Sequence, residues 1–459
     1  MTLPRKQTLR NERHLSVHDL RRRINEAEID TVVVAFTDMQ GRLQGKRMHA
    51  SFFSEHVLDH GTEGCDYLLA VDVEMNTVGG YAISSWEKGY GDMEFELDLE
   101  TIRLLPHLPA TAMVQCDLRW TDHTPVEQSP RTILKLQLER CAAMGFQALA
   151  GTELEFLVFD TSYEEAWRMR YRDLPPANLY NVDYSVLGTT RIEPLLRAIR
   201  NTTYAAGMNV ESAKGECNLG QHEIGFRYAD ALITADNHAV YKTVAKEIAA
   251  QHGKAITFMA KYNEREGSSC HIHLSLRGNE GSLAFDDQGQ RSRTYDAFVA
   301  GVLATMADFT LLYAPNVNSY KRFTAESFAP TTIAWGPDNR TCAVRLVGTG
   351  PSARLENRVP GADVNPYLAL AAMIAGGLYG IEQDLSLAPG VTGNAYTSGL
   401  PTVPRTLRDA RHAFAASAVA RSALGDEVVD HYANMADVEL AAFDAAVTDW
   451  ELRRCFERM

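Results

Sequence analysis

Two glutamates interrupt an apolar, strand-like segment, "GTELEF", at residues 151–156. In a β-strand the side chains at positions i and i+2 point to the same face, so Glu153 and Glu155 share one face while Leu154 and Phe156 share the other. Two like charges on a half-buried strand are unfavourable unless a cation lies between them. On its own the pair favours an edge strand with a solvated acidic face, with a cation site as the alternative.

Three other segments carry similar side chains. "KGECNLGQHEIGF" holds Glu216 and Glu223, and its Asn and Gly favour a turn that brings both carboxylates to one side of a strand–turn–strand. "CHIH" supplies His271, and "RLENR" supplies Glu356. Each segment alone also fits a solvated hairpin, a hydrogen-bonded histidine pair or a surface salt bridge. Together, the carboxylates and the histidine suit Mg²⁺ or Mn²⁺ better than a thiolate-bound zinc.

Arginines are concentrated in the same half of the chain. Carboxylates for metal ions together with guanidinium groups are what phosphoryl transfer from a nucleotide requires, because both neutralise phosphate oxygens. The chain has neither a GxxxxGK[ST] loop nor a GxGxxG motif that opens a helix, so its nucleotide site would differ from those of P-loop proteins and kinases. These arginines are Arg322, Arg340, Arg345, Arg354 and Arg358.

Caps and periodicity predict the elements that position these side chains. Ser16 precedes a helix-forming run, and "DTVVVAFTD" predicts a strand that is followed by a turn and a return strand. Ser129 and Pro130 predict a helix start, with the helix end near Met144. Apolar residues of "NHAVYKTVAKEIAAQHG" recur with helical spacing up to Gly253, and "AITFMAKY" predicts the next strand.

The composition is that of a globular protein, with 459 residues, 45% of them hydrophobic and 23% charged. A formal net charge of −14 disfavours nucleic acid and membrane surfaces as partners. Seven cysteines without a CxxC pair predict reduced thiols and a cytoplasmic location. Residues 1–16 read as a flexible basic tail without the apolar core of a signal peptide, and the apolar run 368–381 is too short to span a bilayer.

Seven motifs, taken in order, resemble those of the glutamine synthetase family at its bacterial class I length. The resemblance covers essentially the whole chain and implies an α+β fold. It implies an N-terminal β-grasp domain at 17–118 and a catalytic domain at 119–459, built on a curved antiparallel sheet with helices. It further implies a homo-oligomer, typically a dodecamer of two hexameric rings, with active sites between neighbouring subunits. The motifs are "GTELEF", "GECNLGQHEIGF", "FMAKYNEREGSSCHIHLSL", "NSYKRF", "NRTCAVR", "RLENRVPGADVNPYLALAAM" and "VTDWE".

The resemblance also implies two or more divalent cations, Mg²⁺ or Mn²⁺, in each active site. Six side chains of this chain match the family's ligand positions and divide into two sets of three. The first set is Glu155, Glu216 and Glu223, and the second is Glu153, His271 and Glu356.

The chemistry that the resemblance implies has two steps. The γ-carboxylate of glutamate attacks ATP to give an acyl phosphate, and a nitrogen nucleophile then displaces phosphate. The positions that match the family's glutamate site are Gly267, Arg322 and Arg358. The positions that match its ATP site, where Arg340 also acts on the transferring phosphoryl group, are His273, Ser275, Arg340, Arg345 and Arg354.

Two anionic elements of the family's ammonium site are missing from this sequence. Counting back from "GYGDMEF", the region of the "DGSS" motif reads "NTVGGYAISSW" and has no aspartate. The flap glutamate of "GYEAP" is replaced in "TAESFAP" by Phe328, with Glu326 two residues earlier. A pocket that lacks these carboxylates and contains Phe328 suits an alkylamine better than ammonium. The amine still needs a base, for which Glu326 is the candidate.

These departures, with the segment "GTEGCDYLLAVDVEMNT", resemble the γ-glutamyl-amide synthetase branch of the family. We therefore expect an ADP-forming glutamate–amine ligase that acts in nitrogen metabolism on a small primary amine, with ethanolamine as the first choice. A polyamine would need further carboxylates, such as Asp66, Asp72 or Glu74, and a glutamine synthetase would need another ammonium site. An inactive ring protein is a further alternative, which the complete set of ligand positions argues against.

Overall fold

The computed structural model describes residues 14–278 and 280–459. Most of the predicted basic tail, residues 1–13, therefore lies outside the described residues, and at its end the Leu15 amide donates to the Ile102 carbonyl at 2.8 Å. The first helix, α1, spans Val17–Asn25. It begins there because the predicted cap, Ser16, accepts a hydrogen bond from the Asp19 amide at 3.0 Å.

A five-stranded sheet contains the strands found between residues 14 and 120. Its order is β2-β1-β5-β4-β3, and β1 and β5 are parallel while the other pairs are antiparallel. Val32 and Val34 of β1 are fully buried, as strand alternation requires. The strands are β1 Thr31–Thr37, β2 Leu43–His49, β3 Thr62–Cys65, β4 Asp92–Leu104 and β5 Thr111–Trp120.

A nine-stranded sheet carries the rest of the strands, apart from a short hairpin. Its order is β14-β15-β16-β11-β6-β8-β7, with β9 and β10 also paired to β6. All its pairs are antiparallel except β14 with β15. The α+β prediction is confirmed. The strands, including the hairpin β12–β13, are β6 Phe146–Phe159, β7 Val210–Gly215, β8 Gln221–Phe226, β9 Ala229–Asp230, β10 Ala255–Thr257, β11 Cys270–Gly278, β12 Asp286–Asp287, β13 Gln290–Arg291, β14 Trp335–Pro337, β15 Val344–Val347 and β16 Arg354–Asn357.

Helices connect and cover the two sheets. The predicted helices are found, but Ser129 makes no side-chain cap, and the helix that ends before Gly253 begins at Ala231. The strand predicted from Ala255 ends at Thr257, whose hydroxyl accepts a hydrogen bond from the Met259 amide. After α1 the helices are α2 Ala50–Phe52, α3 Leu58–His60, α4 Pro130–Ala143, α5 Tyr163–Arg168, α6 Val186–Thr190, α7 Glu193–Ala205, α8 Ala231–Gln251, α9 Arg293–Ala304, α10 Met306–Tyr313, α11 Pro366–Glu382, α12 Leu407–Ala416, α13 Ala418–Leu424, α14 Asp426–Ala445 and α15 Asp449–Cys455.

The apolar run noted in the sequence forms α11, which is almost entirely buried. Glycines let α9 and α11 approach at backbone distance, since a β-carbon at Gly380 would collide with the Ala297 carbonyl oxygen. Within the described residues no single helix is long and apolar enough to cross a bilayer, and only the strongly bent pair α9 and α10 meets that criterion together.

A buried ion network joins the five-stranded sheet to two helices, α4 and α8. Arg131 of α4 donates to Asp98 of β4 at 2.6 Å, to Asp117 of β5 at 2.7 Å and to Asp236 of α8 at 3.0 Å. Lys135 also pairs with Asp117. We call these five residues the Arg131 network. The planar guanidinium suits this arrangement because its N–H groups can meet several carboxylates at once.

Candidate active site

One face of the nine-stranded sheet presents the predicted ligand side chains, and strand register determines which of them meet. Directly opposed side chains on one face have Cβ atoms about 5 Å apart, close enough for their head groups to share an ion. The opposed pairs are Glu155–Glu223 between β6 and β8, Glu153–His271 between β6 and β11, Glu356–His273 between β16 and β11, and Glu356–Arg345 between β16 and β15.

Glu155, Glu216 and Glu223 form the first cluster, which we call the three-carboxylate group. One oxygen atom from each residue lies within 4.8 Å of the others. Glu155 is fixed by the Ser269 amide at 2.8 Å and by the Gln221 side-chain amide at 3.1 Å. Burial and the nearby charge of Glu153 raise the pKa of Glu223 to about 8. The group is therefore short of positive charge, which a divalent cation would supply.

Glu153, His271 and Glu356 form the second cluster, and their ligand atoms also lie within 4.8 Å of one another. Burial and the charge of Arg358 lower the pKa of His271, which favours the neutral imidazole that metal ions bind. Its Nε2 atom is buried without a hydrogen-bond partner among the described residues. Oxygen and imidazole donors with an unsatisfied buried nitrogen fit a divalent cation.

Two arginines hold Glu356 from either side. Arg345 donates to it at 2.8 Å and also pairs with Asp338, and Arg358 donates to the other Glu356 oxygen. Burial raises the pKa of Glu356, but its electrostatic interactions with His271 and Arg358 outweigh burial and lower the pKa to about 2. Glu356 therefore stays ionised throughout the neutral range.

Histidine 273 connects the second cluster to another predicted arginine. Arg354 donates from Nε to His273 Nδ1 at 3.2 Å, and His273 Nε2 lies 3.0 Å from a Glu153 oxygen. Burial raises the pKa of Glu153, yet hydrogen bonds from His271 and His273 lower it well below its usual range. The Ser275 hydroxyl donates to the Ala353 carbonyl at 2.8 Å.

Arg340 lies farther along, in an open cleft lined by Asp338, Asn339 and residues 391–393. Asp338 lines this cleft and also accepts a hydrogen bond from Arg345 at 2.9 Å. Arg345 thus connects the cleft to Glu356 through Asp338. Arg340 itself is exposed, whereas the other predicted arginines are buried or half-buried.

Arg322 is buried beside the other two residues predicted to bind glutamate, Gly267 and Arg358. Its guanidinium donates to the carbonyl oxygens of Val359 at 2.7 Å and Arg358 at 2.8 Å. Burial lowers its pKa to about 10, so the group keeps its charge at neutral pH. A β-carbon at Gly267 would lie 2.7 Å from the Arg322 Cγ atom, so glycine is what permits this close packing. The structure thus brings together all three residues predicted for glutamate.

The predicted amine-site residues lie in a tight surface turn. Glu326 and Phe328 both have left-handed backbone conformations, with φ of 61° and 59°. Phe328 is 59% exposed in the single chain, and its carbonyl oxygen is 3.4 Å from Arg358 Nη2. The Tyr396 hydroxyl donates to the Ala329 carbonyl at 3.0 Å. The turn is thereby tied to the site through its backbone, while the Glu326 and Phe328 side chains are both exposed in the single chain.

Three residues at the site were not predicted from the sequence. Gln221 and Ser269 orient Glu155, as described above, and Lys214 pairs with Glu216. Lys214 precedes Glu216 by two positions, so strand periodicity places both on one face. That signal was available in "KGECNLGQHEIGF".

Comparisons with known proteins agree with this geometry. The family described as "Glutamine synthetase, catalytic domain" matches residues 127–455. The chain is 62% identical, over 97% of its length and 96% of the relative, to gamma-glutamylethanolamide synthetase of Streptomyces coelicolor. It is 36% identical, over 94% of its length and 96% of the relative, to glutamate–isopropylamine ligase of a Pseudomonas species. A structure solved as a GmaS/ADP complex superposes with a TM-score of 0.84 at 28% identity, over 95% of this chain and 99% of that one.

Proposed function

The chain belongs to the glutamine synthetase family, and on that premise we propose that it joins the γ-carboxylate of glutamate to ethanolamine in an ATP-dependent, ADP-forming reaction. The observation that carries the proposal is the sheet face on which two ligand clusters and three arginines meet, in a chain 62% identical to a γ-glutamylethanolamide synthetase. Its metabolic setting would be the use of amines as a nitrogen source.

We assign the two clusters to two divalent cations, Mg²⁺ or Mn²⁺. The three-carboxylate group would hold one, and Glu153, His271 and Glu356 would hold the other. When bound, these cations supply the positive charge that phosphate oxygens need during phosphoryl transfer.

The arginines would orient the two substrates. Arg322 and Arg358 would bind glutamate, and the absence of a side chain at Gly267 lets the Arg322 side chain pack against its backbone. The ATP phosphates would lie along the surface that carries His273, Ser275 and the remaining arginines, with Arg340 stabilising the transferring group. An oxygen of the γ-carboxylate attacks the terminal phosphorus and ADP leaves. The amine nitrogen then attacks the acyl carbon, phosphate leaves, and the nitrogen loses a proton. The three arginines proposed to lie beside the ATP phosphates are Arg340, Arg345 and Arg354.

Glu326 is the proposed acceptor of that proton, and Phe328 is the proposed apolar wall for the amine. Both lie in the turn that Arg358 and Tyr396 anchor through backbone carbonyls. An exposed carboxylate can exchange protons with water after each turnover, which a base must do.

We also propose the domain division at residues 118 and 119, a dodecamer of two hexameric rings and a cytoplasmic location. The family resemblance supports the first two. The seven cysteines are free thiols, which supports the third.

The test measures phosphate release from ATP with Mg²⁺ and glutamate, across ammonia, ethanolamine, putrescine, spermine and short alkylamines, with the product identified by mass. We expect the highest kcat/KM for ethanolamine and at least about tenfold less for ammonia. If ammonia were the best nucleophile, the proposed role of Phe328 in an alkylamine pocket would be wrong. If no amine supported phosphate release, the result would favour an inactive ring protein.

A polyamine as the best substrate would support the runner-up function. Two of the three carboxylates that could bind the second ammonium group of a polyamine make hydrogen bonds within the chain instead. Asp66 accepts hydrogen bonds from Ser84 and from the Gly91 amide, and Asp72 accepts from the amides of Glu74 and Asn76. These contacts favour ethanolamine over a dication.

A further inference from the structure

Lys214 lies in the same cross-strand row as two members of the three-carboxylate group. Lys214 of β7 is directly opposite Glu223 of β8, and Glu223 is directly opposite Glu155 of β6. Glu216 follows Lys214 by two positions and completes the cluster. The register therefore places an ammonium group beside the carboxylates, whatever else is bound there.

The contacts of Lys214 are divided between the cluster and an aromatic ring. Its Nζ atom pairs with Glu216 and lies 3.9 Å from a Glu223 oxygen. The same atom is 4.8 Å from the ring centroid of Tyr184, which is 72% exposed. In the described part of the chain, Lys214 is the only cationic side chain within 4.0 Å of Glu216 or Glu223. Glu155 is bound instead by neutral donors, Gln221 and Ser269.

We propose that Lys214 is a built-in counter-ion of the three-carboxylate group and competes with the divalent cation for Glu216 and Glu223. Its ammonium group holds these carboxylates together in the metal-free protein. When a cation takes their oxygen atoms, like charges repel, and the flexible side chain moves toward the Tyr184 ring and solvent. The competition lowers the affinity of this site, so that its occupancy follows the metal concentration.

The inference rests on the metal assignment in the proposed function, and its test is made without substrates. Free Mn²⁺ is measured by electron paramagnetic resonance during titration of the wild type, Lys214→Met and Lys214→Arg. We expect Lys214→Met to bind Mn²⁺ about tenfold more tightly, because a competing charge is lost, and Lys214→Arg to stay within about threefold of the wild type. Unchanged or weaker binding by Lys214→Met would overturn the proposal.

A second measurement uses only the wild type and so does not depend on how a variant folds. Acylation of Lys214 is followed by mass spectrometry with and without Mn²⁺, relative to the exposed Lys88. We expect Mn²⁺ to increase labelling of Lys214 severalfold, and equal labelling would contradict displacement. If the wild type binds no Mn²⁺ at the three-carboxylate group, both this inference and the metal assignment fail. If it binds Mn²⁺ but Lys214 has no effect, this inference alone fails.

Discussion

Two clusters of buried charge in this protein differ in how fully cationic side chains neutralise their carboxylates. In the Arg131 network, three aspartates all contact one guanidinium, and the charges of Arg131 and Lys135 outweigh burial and lower the pKa of Asp117. In the three-carboxylate group, Lys214 reaches two of three glutamates, and the pKa of Glu223 is raised to about 8. The first cluster has a cation in contact with every carboxylate, whereas the second keeps an excess of negative charge that the proposed divalent cation would neutralise.

The positions of the clusters agree with that difference. The Arg131 network joins β4 and β5 to α4 and α8, where a fixed arrangement stabilises the fold. The three-carboxylate group lies on β6, on β8 and in the turn that follows β7, where a site must remain open to bind and release its substrates. Excess negative charge would destabilise the first cluster, and in the second it is what the proposed cation site needs.

The largest effect is expected from Arg131→Met. It leaves three aspartates without their common partner and should lower the free energy of unfolding by about 3–5 kcal/mol, and Mn²⁺ should not restore it. Chemical unfolding measures this, with Arg119→Met as the control, since Arg119 forms a half-exposed pair with Glu96 and should cost at most about 1 kcal/mol. Equal losses for the two variants would remove the distinction between the network and a surface pair.

The next effect is expected from Glu155→Gln. Loss of one carboxylate of the metal site should reduce kcat/KM at least about 100-fold, while the metal-free protein stays as stable as the wild type or becomes more stable, because a like charge is removed. Steady-state kinetics and unfolding in chelator measure the two effects. Glu211→Gln, on an exposed position of β7, is the matched control and should keep its activity. Destabilisation of the metal-free Glu155→Gln protein would contradict the account.

A smaller effect is expected from Asp117→Asn as a function of pH. The folded pKa of Asp117 lies below its unfolded value, so the stability it contributes is present above the unfolded pKa of about 3.9 and is lost as the pH falls through the folded pKa. The difference in unfolding free energy between wild type and variant should therefore be constant above about pH 5 and shrink in stronger acid. A pH-independent difference for Asp117→Asn would contradict the pairing.

Much of the site could be predicted from the sequence because strand alternation is local. Glu153 and Glu155 lie on the predicted face, while Leu154 and Phe156 are buried on the other, and Glu216 and Glu223 meet across a strand–turn–strand. Alternation does not reveal which distant strands are neighbours. The pairing of β6 with β11 and of β11 with β16, which places His271 and Glu356 beside Glu153, came from the family resemblance and from the structure.

Other features could not be predicted because their partners are scattered in the sequence. The Arg131 network brings together residues from four elements, and no motif connects them. Lys214 lies in a motif whose acidic residues alone indicate a metal site. The environment of Phe328 depends on what packs over its surface turn, and the residues of the turn do not determine this.

The most direct test of the central claim is the effect of Mn²⁺ on unfolding after removal of metal by chelator, compared between wild type and Glu155→Gln. We predict that Mn²⁺ at about 100 times its dissociation constant stabilises the wild type by about 2.7 kcal/mol for each site filled, and the variant by clearly less. Equal stabilisation of the two proteins, or none in an active wild type, would show that the three-carboxylate group does not bind the cation.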